Sequence, residues 1–173
     1  MSNRSFSSSK KTQFLSKLPT SSVESSEIAK RCKFNFSYFV EDQLAGQSFA
    51  DWNNGQGPSS LYGLLDKVRQ FSREPLDYWN NEKVGKQNIL EIYGAFPKTS
   101  KTEFSHPPSV PHDVQWARFR LAAKVRLIGF VLPKESHNVD NCKAKKVEYL
   151  LDCNTFYVVF LDKDHKFYKT EKP

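Results

Sequence analysis

Cysteine is scarce in this chain of 173 residues. The three cysteines are Cys32, Cys142 and Cys153, and no two of them have the Cys-x-x-Cys spacing. An odd and sparse set of this kind argues against a disulfide framework and against a structural zinc site. It fits a reducing compartment. We therefore predict a cytoplasmic protein.

Long apolar runs and several familiar motifs are also missing. No run approaches the roughly 18 apolar residues of a transmembrane helix, and the first residues lack the apolar centre of a signal peptide. The chain contains no G-x-x-x-x-G-K-S/T loop, no G-x-G-x-x-G and no H-E-x-x-H. P-loop hydrolysis, dinucleotide chemistry and zinc-protease chemistry are therefore unsupported. We expect no membrane association and no cofactor.

Acidic residues are outnumbered by basic ones. The chain has 26 lysines and arginines against 19 acidic residues, which gives a formal net charge of +7. Such a surplus attracts polyanions, and nucleic acid is the usual partner. An acidic protein partner would fit as well, and so would a lysine-rich surface that only keeps the protein soluble. We expect RNA as the main partner.

The first thirty residues differ in composition from the rest. Residues 1–30 are crowded with serine, and no acidic residue precedes Glu24. Serine and scattered lysine cannot bury enough apolar surface to fold alone. We therefore predict a disordered arm over residues 1–30, followed by a single domain over residues 31–173.

One or two helices are predicted in the first half of that domain. Leu61, Leu64, Leu65, Val68 and Phe71 recur at the helical spacing, behind a serine that can cap the first turn. This pattern is that of an amphipathic helix that lies on a sheet. Pro75 either ends this helix or starts a second, shorter one through the run LDYW.

Strand patterns dominate the rest of the domain. Phe156–Leu161 is apolar at every position, as in an interior strand that is covered on both faces. The connector from Pro97 to Pro111 is rich in proline, and a loop of that length is often functional or mobile. Clustered strands that follow helices indicate an α+β domain with a mostly antiparallel sheet. The predicted strands are Lys33–Val40, Ile89–Phe96, the hairpin Trp116–Leu121 with Val125–Leu132, Phe156–Leu161, and an edge strand His165–Lys169.

Three arginines alternate along the predicted hairpin. Arg118 and Arg120 point to one face of their strand, together with Trp116, while Ala117, Phe119 and Leu121 point to the core. Arg126 lies on the facing strand, beyond a turn that contains Lys124. Three guanidinium groups beside a tryptophan would bind phosphate and stack on a base. The alternative is a solvated sheet face with one tryptophan as a lid.

A second polar group follows the last interior strand. Here His165 is able to exchange protons near neutral pH, Tyr168 is able to donate one, and Lys166 and Lys169 are able to bind phosphate. The alternative is ordinary turn chemistry, which Asp162 and Asp164 favour. Those two carboxylates with His165 also suit Mg²⁺ or Mn²⁺, although no fourth ligand is evident.

The C-terminal half resembles a known group of proteins. The segments WARFRLAAKVRLIGFVL and FYVVFLDKDHKFYK are similar to the arginine-rich paired strands and the ending of the RelE/ParE-type toxin superfamily. The resemblance covers about Trp116 to Lys169, and the helix at Leu61–Phe71 agrees with the same order of elements. It implies a toxin that cleaves RNA without a metal ion and pairs with an acidic, antitoxin-like protein.

The resemblance also implies roles for individual residues. Arg120 and Arg126 would stabilise the charge of the transition state, and His165 or Tyr168 would transfer protons. The expected RNA-binding residues are Trp116, Arg118, Lys124, Lys166 and Lys169. ParE-like relatives need not cleave RNA, so a non-catalytic module that binds nucleic acid or a protein remains the alternative function.

Overall fold

A computed structural model of the chain describes Gln13, Phe14, Ser16 and residues 22–134, 142–144, 147–149 and 151–169. Most of the predicted disordered arm therefore lies outside the described residues. The part of it that is described ends in an exposed turn of 3-10 helix at Ile28–Lys30, which leads directly into the first strand.

A five-stranded, mostly antiparallel sheet forms the centre of the molecule. Its order is β1-β9-β6-β5-β4, and only the β1–β9 pair is parallel. The α+β prediction is confirmed, and the all-apolar strand lies in the interior of the sheet, as expected. The strands are β1 (Lys33–Asn35), β2 (Lys83–Val84), β3 (Gln87–Asn88), β4 (Leu90–Gly94), β5 (Gln115–Arg120), β6 (Arg126–Val131), β7 (Cys142–Ala144), β8 (Val147–Tyr149) and β9 (Thr155–Asp162). The pairs β2–β3 and β7–β8 form two separate small hairpins.

Three α-helices lie in the chain between β1 and β2, and all three supply buried side chains to the core on one face of the sheet. They are α1 (Phe49–Asn53), α2 (Leu61–Phe71) and α3 (Leu76–Asn81). Ser60 caps α2 by accepting a hydrogen bond from the backbone N–H of Gly63, which satisfies one of the unpaired donors of the first turn. The Phe71 ring of α2 stacks on Phe119 of β5, with the ring centroids 4.6 Å apart. The predicted helix at Leu61–Phe71 is confirmed, and so is the alternative of a second helix after Pro75. No helix within the described residues is long and apolar enough to cross a membrane.

The opposite face of the sheet is covered as well. Residues 97–114 and 163–169 lie across it and place Phe104 and Phe167 against Trp116 and Phe160. The proline-rich connector thus supplies part of a second core. An aromatic-rich chain of this size has enough large rings to fill a core on each side of one sheet.

One predicted strand is too long, and another is not a strand. The first is three residues long, Lys33–Asn35, because the chain leaves the sheet after Asn35, whose side chain accepts a hydrogen bond from the backbone of Ser37. The predicted edge strand His165–Lys169 is not a strand, because Asp162 turns the chain at the end of β9. The carboxylate of Asp162 accepts hydrogen bonds from the backbone N–H groups of Asp164, Lys166 and Phe167.

Candidate anion-binding site

The central strands place three arginines on one face of the sheet. Arg118 and Arg120 are two positions apart on β5, so their side chains share a face. Arg126 is the first residue of β6 and is paired directly with Arg120. The predicted grouping of these three arginines is therefore confirmed.

This arginine face is buried, which corrects the expectation of an open sheet surface. Arg118 is 5% exposed and Arg126 is 2% exposed, because residues 163–169 lie over them. Trp116 is 1% exposed and is packed among Phe130, Phe160 and Phe167. The expectation that Trp116 offers a ring to a base is therefore wrong, and so is the alternative of a solvated face.

Glu91 on β4 binds two of the three arginines. Its Oε2 accepts from Nε and Nη2 of Arg118 at 3.0 and 2.7 Å, and Nη2 of Arg120 lies 3.4 Å from Oε1. The Tyr93 hydroxyl donates to the same Oε2 at 3.0 Å. Burial alone would raise the pKa of Glu91, but Arg118 and these hydrogen bonds hold the pKa below its usual 4.5. Glu91 is therefore ionised and fixes Arg118 in an ion pair in which two N–H groups donate to the same carboxylate oxygen.

His165 completes the cluster from the far side. Its backbone has a φ of 60°, an uncommon value for a residue with a side chain. Its Nε2 is 2.7 Å from Nη1 of Arg118. Burial and the neighbouring arginines lower the pKa of His165 to about 4, so the ring is neutral at pH 7. Because a guanidinium only donates, we assign Nε2 as the acceptor and place the ring proton on Nδ1.

An open cleft of about 470 Å³ lies beside this cluster, at the end of the β5–β6 hairpin. Four cations and a single carboxylate line it, so the wall is strongly positive. The lining residues are Gln87, Arg120, Ala123, Lys124, Arg126, Asp164, His165 and Lys169. A larger cleft of about 580 Å³ lies elsewhere, but its charged lining residues are Asp42 and Glu103, with His106, which does not suit an anion.

Among the three arginines, Arg126 is the one whose positive charge has no carboxylate partner within the described residues. Its Nη1 donates to the carbonyls of Ala122 and Val125 at 2.7 and 2.9 Å, and it has no carboxylate partner among the described residues. The buried Nε of Arg126 has no partner there either, and the same is true of Nε of Arg120. Burial, together with Arg120 and Arg118, lowers the pKa of Arg126 to about 10. A cation at a cleft without a carboxylate partner among the described residues is suited to bind an anion.

The remaining predicted site residues lie next to the cleft and not in it. The Tyr168 ring stacks on the ring of Tyr93, with centroids 4.7 Å apart. Nζ of Lys101 lies 5.6 Å from the centroid of the Tyr168 ring. Lys166 is 3.6 Å from Glu103, which also binds Lys169 at 2.7 Å. The structure thus brings five of the predicted residues together in the cleft: Arg120, Lys124, Arg126, His165 and Lys169.

The metal alternative for Asp162, Asp164 and His165 does not fit this geometry. Both carboxylate oxygens of the fully buried Asp162 already accept backbone N–H groups, and burial raises the pKa of its carboxyl above the usual value. Among the residues that the structure describes, no three His, Cys, Asp or Glu side chains come together as a metal site. The predicted turn role of Asp162 is the one that the structure shows.

Sequence reasoning missed Glu91 and Tyr93. Both lie on β4 two positions apart, and Glu91 is the only charged residue in the run ILEIYGAF. A single carboxylate in an otherwise apolar strand is a signal of a buried partner, since such a charge is seldom buried unpaired. Pairing that signal with the arginine-rich strand would have predicted the Glu91–Arg118 ion pair.

Comparisons with known proteins add no relative: no family model, no curated protein and no solved structure matches this chain. The resemblance to RelE/ParE-type toxins therefore stays a prediction.

Proposed function

We propose that this protein binds RNA and that the cleft beside Arg126 receives a phosphate group of the chain. The observation that carries the proposal is the state of Arg126, a buried guanidinium at a cleft with an unpaired Nε and no carboxylate partner among the described residues. Arginine presents its donors in a planar fork that matches phosphate oxygens.

The electrostatics of the cluster favour a bound anion. The low pKa of Arg126 means that the folded protein holds this charge at a cost. An anion in the cleft would lower that cost, because opposite charges attract strongly where little water separates them. Lys124 and Lys169 are exposed at the same cleft and would bind further along the same phosphate chain.

Two further observations support RNA as the polyanion. The whole chain carries a net charge of +7, which favours association with nucleic acid. The segment Trp116–Lys169, which contains most of the cleft, is the part that resembles the RNA-cleaving toxins. An RNA-binding function also fits the cytoplasmic location that we predict from the scarcity of cysteine.

Fluorescence anisotropy with a labelled, 5′-phosphorylated, mixed-sequence RNA of 12 nucleotides tests the proposal. We compare wild type with Arg126→Met and use Arg69→Met as the control for lost charge, since Arg69 lies exposed on α2 and, within the described residues, forms an ion pair with Asp66 alone. We expect Arg126→Met to weaken binding about tenfold or more, as for the loss of one good phosphate contact. Equal binding by all three proteins would refute the assignment of the cleft.

RNA cleavage is a second candidate, which the meeting of Arg120, Arg126 and His165 in one cleft favours. The two arginines would stabilise the pentavalent phosphate, and Nδ1–H of His165 would donate to it. Attack by the ribose 2′-OH forms a bond from O2′ to phosphorus and breaks the bond from phosphorus to O5′, so a base must take the 2′-OH proton and pass a proton to the leaving O5′. Nε2 of His165 is the candidate base, and Arg118 occupies it. Cleavage therefore requires His165 to leave Arg118. Product formation in EDTA that is lost in His165→Ala would establish this activity, and intact RNA would exclude it.

A further inference from the structure

The charges around the cleft do not balance. The side chains of the cleft and of the ion pairs that adjoin it comprise six cations and three carboxylates, which is a surplus of three positive charges. The cations are Arg118, Arg120, Lys124, Arg126, Lys166 and Lys169, and the carboxylates are Glu91, Glu103 and Asp164. His165 adds no charge at pH 7, because its pKa is near 4.

The ion pairs share their carboxylates, since Glu91 binds both Arg118 and Arg120, and Glu103 binds both Lys166 and Lys169. Arg126 and Lys124 have no carboxylate partner within the described residues. Arg126 is 2% exposed and Lys124 is exposed, so one charge lies in the protein and the other at its surface. An anion between the two would be held at the end of the β5–β6 hairpin.

Terminal and internal phosphates of RNA differ in charge and in free oxygens. A phosphate monoester carries about −1.5 to −2 at pH 7 and presents three acceptor oxygens. An internal phosphodiester carries a single charge and has two unesterified oxygens. The four cations that line the cleft, Arg120, Arg126, Lys124 and Lys169, attract the larger charge of a monoester more strongly and can donate to its additional oxygen.

We infer that the cleft binds a phosphate monoester at one end of an RNA chain in preference to an internal phosphodiester. This inference rests on the RNA-binding function proposed above and names the part of the RNA that the site selects. The surplus of positive charge favours a dianion over a monoanion, and Arg126 and Lys124 are the cations of the cleft without a carboxylate partner among the described residues.

Three RNAs of the same 12-nucleotide sequence, with an internal fluorophore, test the inference. One carries a 5′-phosphate, one a 3′-phosphate, and one has hydroxyl groups at both ends, which separates the two sources of a monoester. Each is titrated with wild type, Arg126→Met, Lys124→Met and the control Arg69→Met. Lys124 is exposed, so its substitution tests the site even if Arg126→Met fails to fold.

We expect one terminal phosphate to tighten binding by wild type about tenfold or more, in the range of a charge-assisted contact. That gain should vanish in Arg126→Met, shrink in Lys124→Met and persist in Arg69→Met. Equal binding of the three RNAs would overturn this inference and leave RNA binding in place. The absence of binding to any of them would overturn the proposed function as well.

Discussion

Replacing Arg126 by methionine should weaken RNA binding about tenfold or more and leave the protein about as stable as wild type. The pKa of Arg126 falls from 12.5 to about 10 in the folded protein. Since each pKa unit is worth about 1.4 kcal/mol, the charge costs the fold about 3 kcal/mol. Methionine is similar in length and apolar, so it removes that cost without leaving a large cavity.

The same substitution removes two hydrogen bonds. Nη1 of Arg126 donates to the carbonyls of Ala122 and Val125, and a hydrogen bond from a charged donor contributes about 1.5 kcal/mol or more. The Val125 carbonyl keeps two other donors, the backbone N–H groups of Leu121 and Ala122. The loss of about 3 kcal/mol therefore nearly cancels the gain, and we expect a change in unfolding free energy within about 1 kcal/mol of zero.

Urea denaturation monitored by tryptophan fluorescence measures this change. Trp52, Trp79 and Trp116 are all buried, so unfolding exposes each of them to water. The slope of the free energy against urea should stay the same in the variant, which shows that the unfolded and folded states are unchanged in compactness. A destabilisation of about 3 kcal/mol or more would refute the reasoning, because that is the cost of breaking a compensated buried pair.

Two further predictions concern the fold. Glu91→Gln should lower stability by about 2 kcal/mol at pH 7, since it leaves Arg118 without its partner at a partly exposed site. Because the folded pKa of Glu91 is below 4.5, its contribution is present above that pH and is lost as the pH falls through the folded pKa. Denaturation between pH 3 and 7 should therefore show a flatter curve for the variant, and an Asp66→Asn control should change little. Gly129→Ala should cost about 1–3 kcal/mol, because a Cβ there would collide with the Tyr157 carbonyl and the Phe156 ring; unchanged thermal unfolding would contradict this.

The fold was predictable from the sequence where periodicity decides structure. The helical spacing of Leu64 and Phe71 on α2 matches the residues that become buried. The apolar run Phe156–Leu161 of β9 is too short for a typical helix and rich in β-branched and aromatic residues, which favours a strand covered on both faces. The alternation of Arg118 and Arg120 also placed them correctly on one face. These are local patterns, and the structure agrees with them.

The cover over the arginine face was not predictable in the same way. Which segment lies on that face depends on the turn made by Asp162 and on the docking of Phe167, and both are contacts between parts of the chain with no shared period. The sequence therefore showed the three arginines but not their burial. The same reason explains why Trp116, which shares their face, is a core residue and not a stacking platform.

The position of the bound phosphate is tested most directly by NMR of the arginine side chains. Each arginine gives an Nε–Hε signal, and those of Arg120 and Arg126 can be assigned by substitution. On titration with 5′-phosphorylated or 3′-phosphorylated RNA, we expect these two signals to shift and saturate with the affinity measured by anisotropy, while the signal of Arg69 stays in place. RNA binding that leaves the signals of Arg120 and Arg126 unchanged would contradict the proposed site.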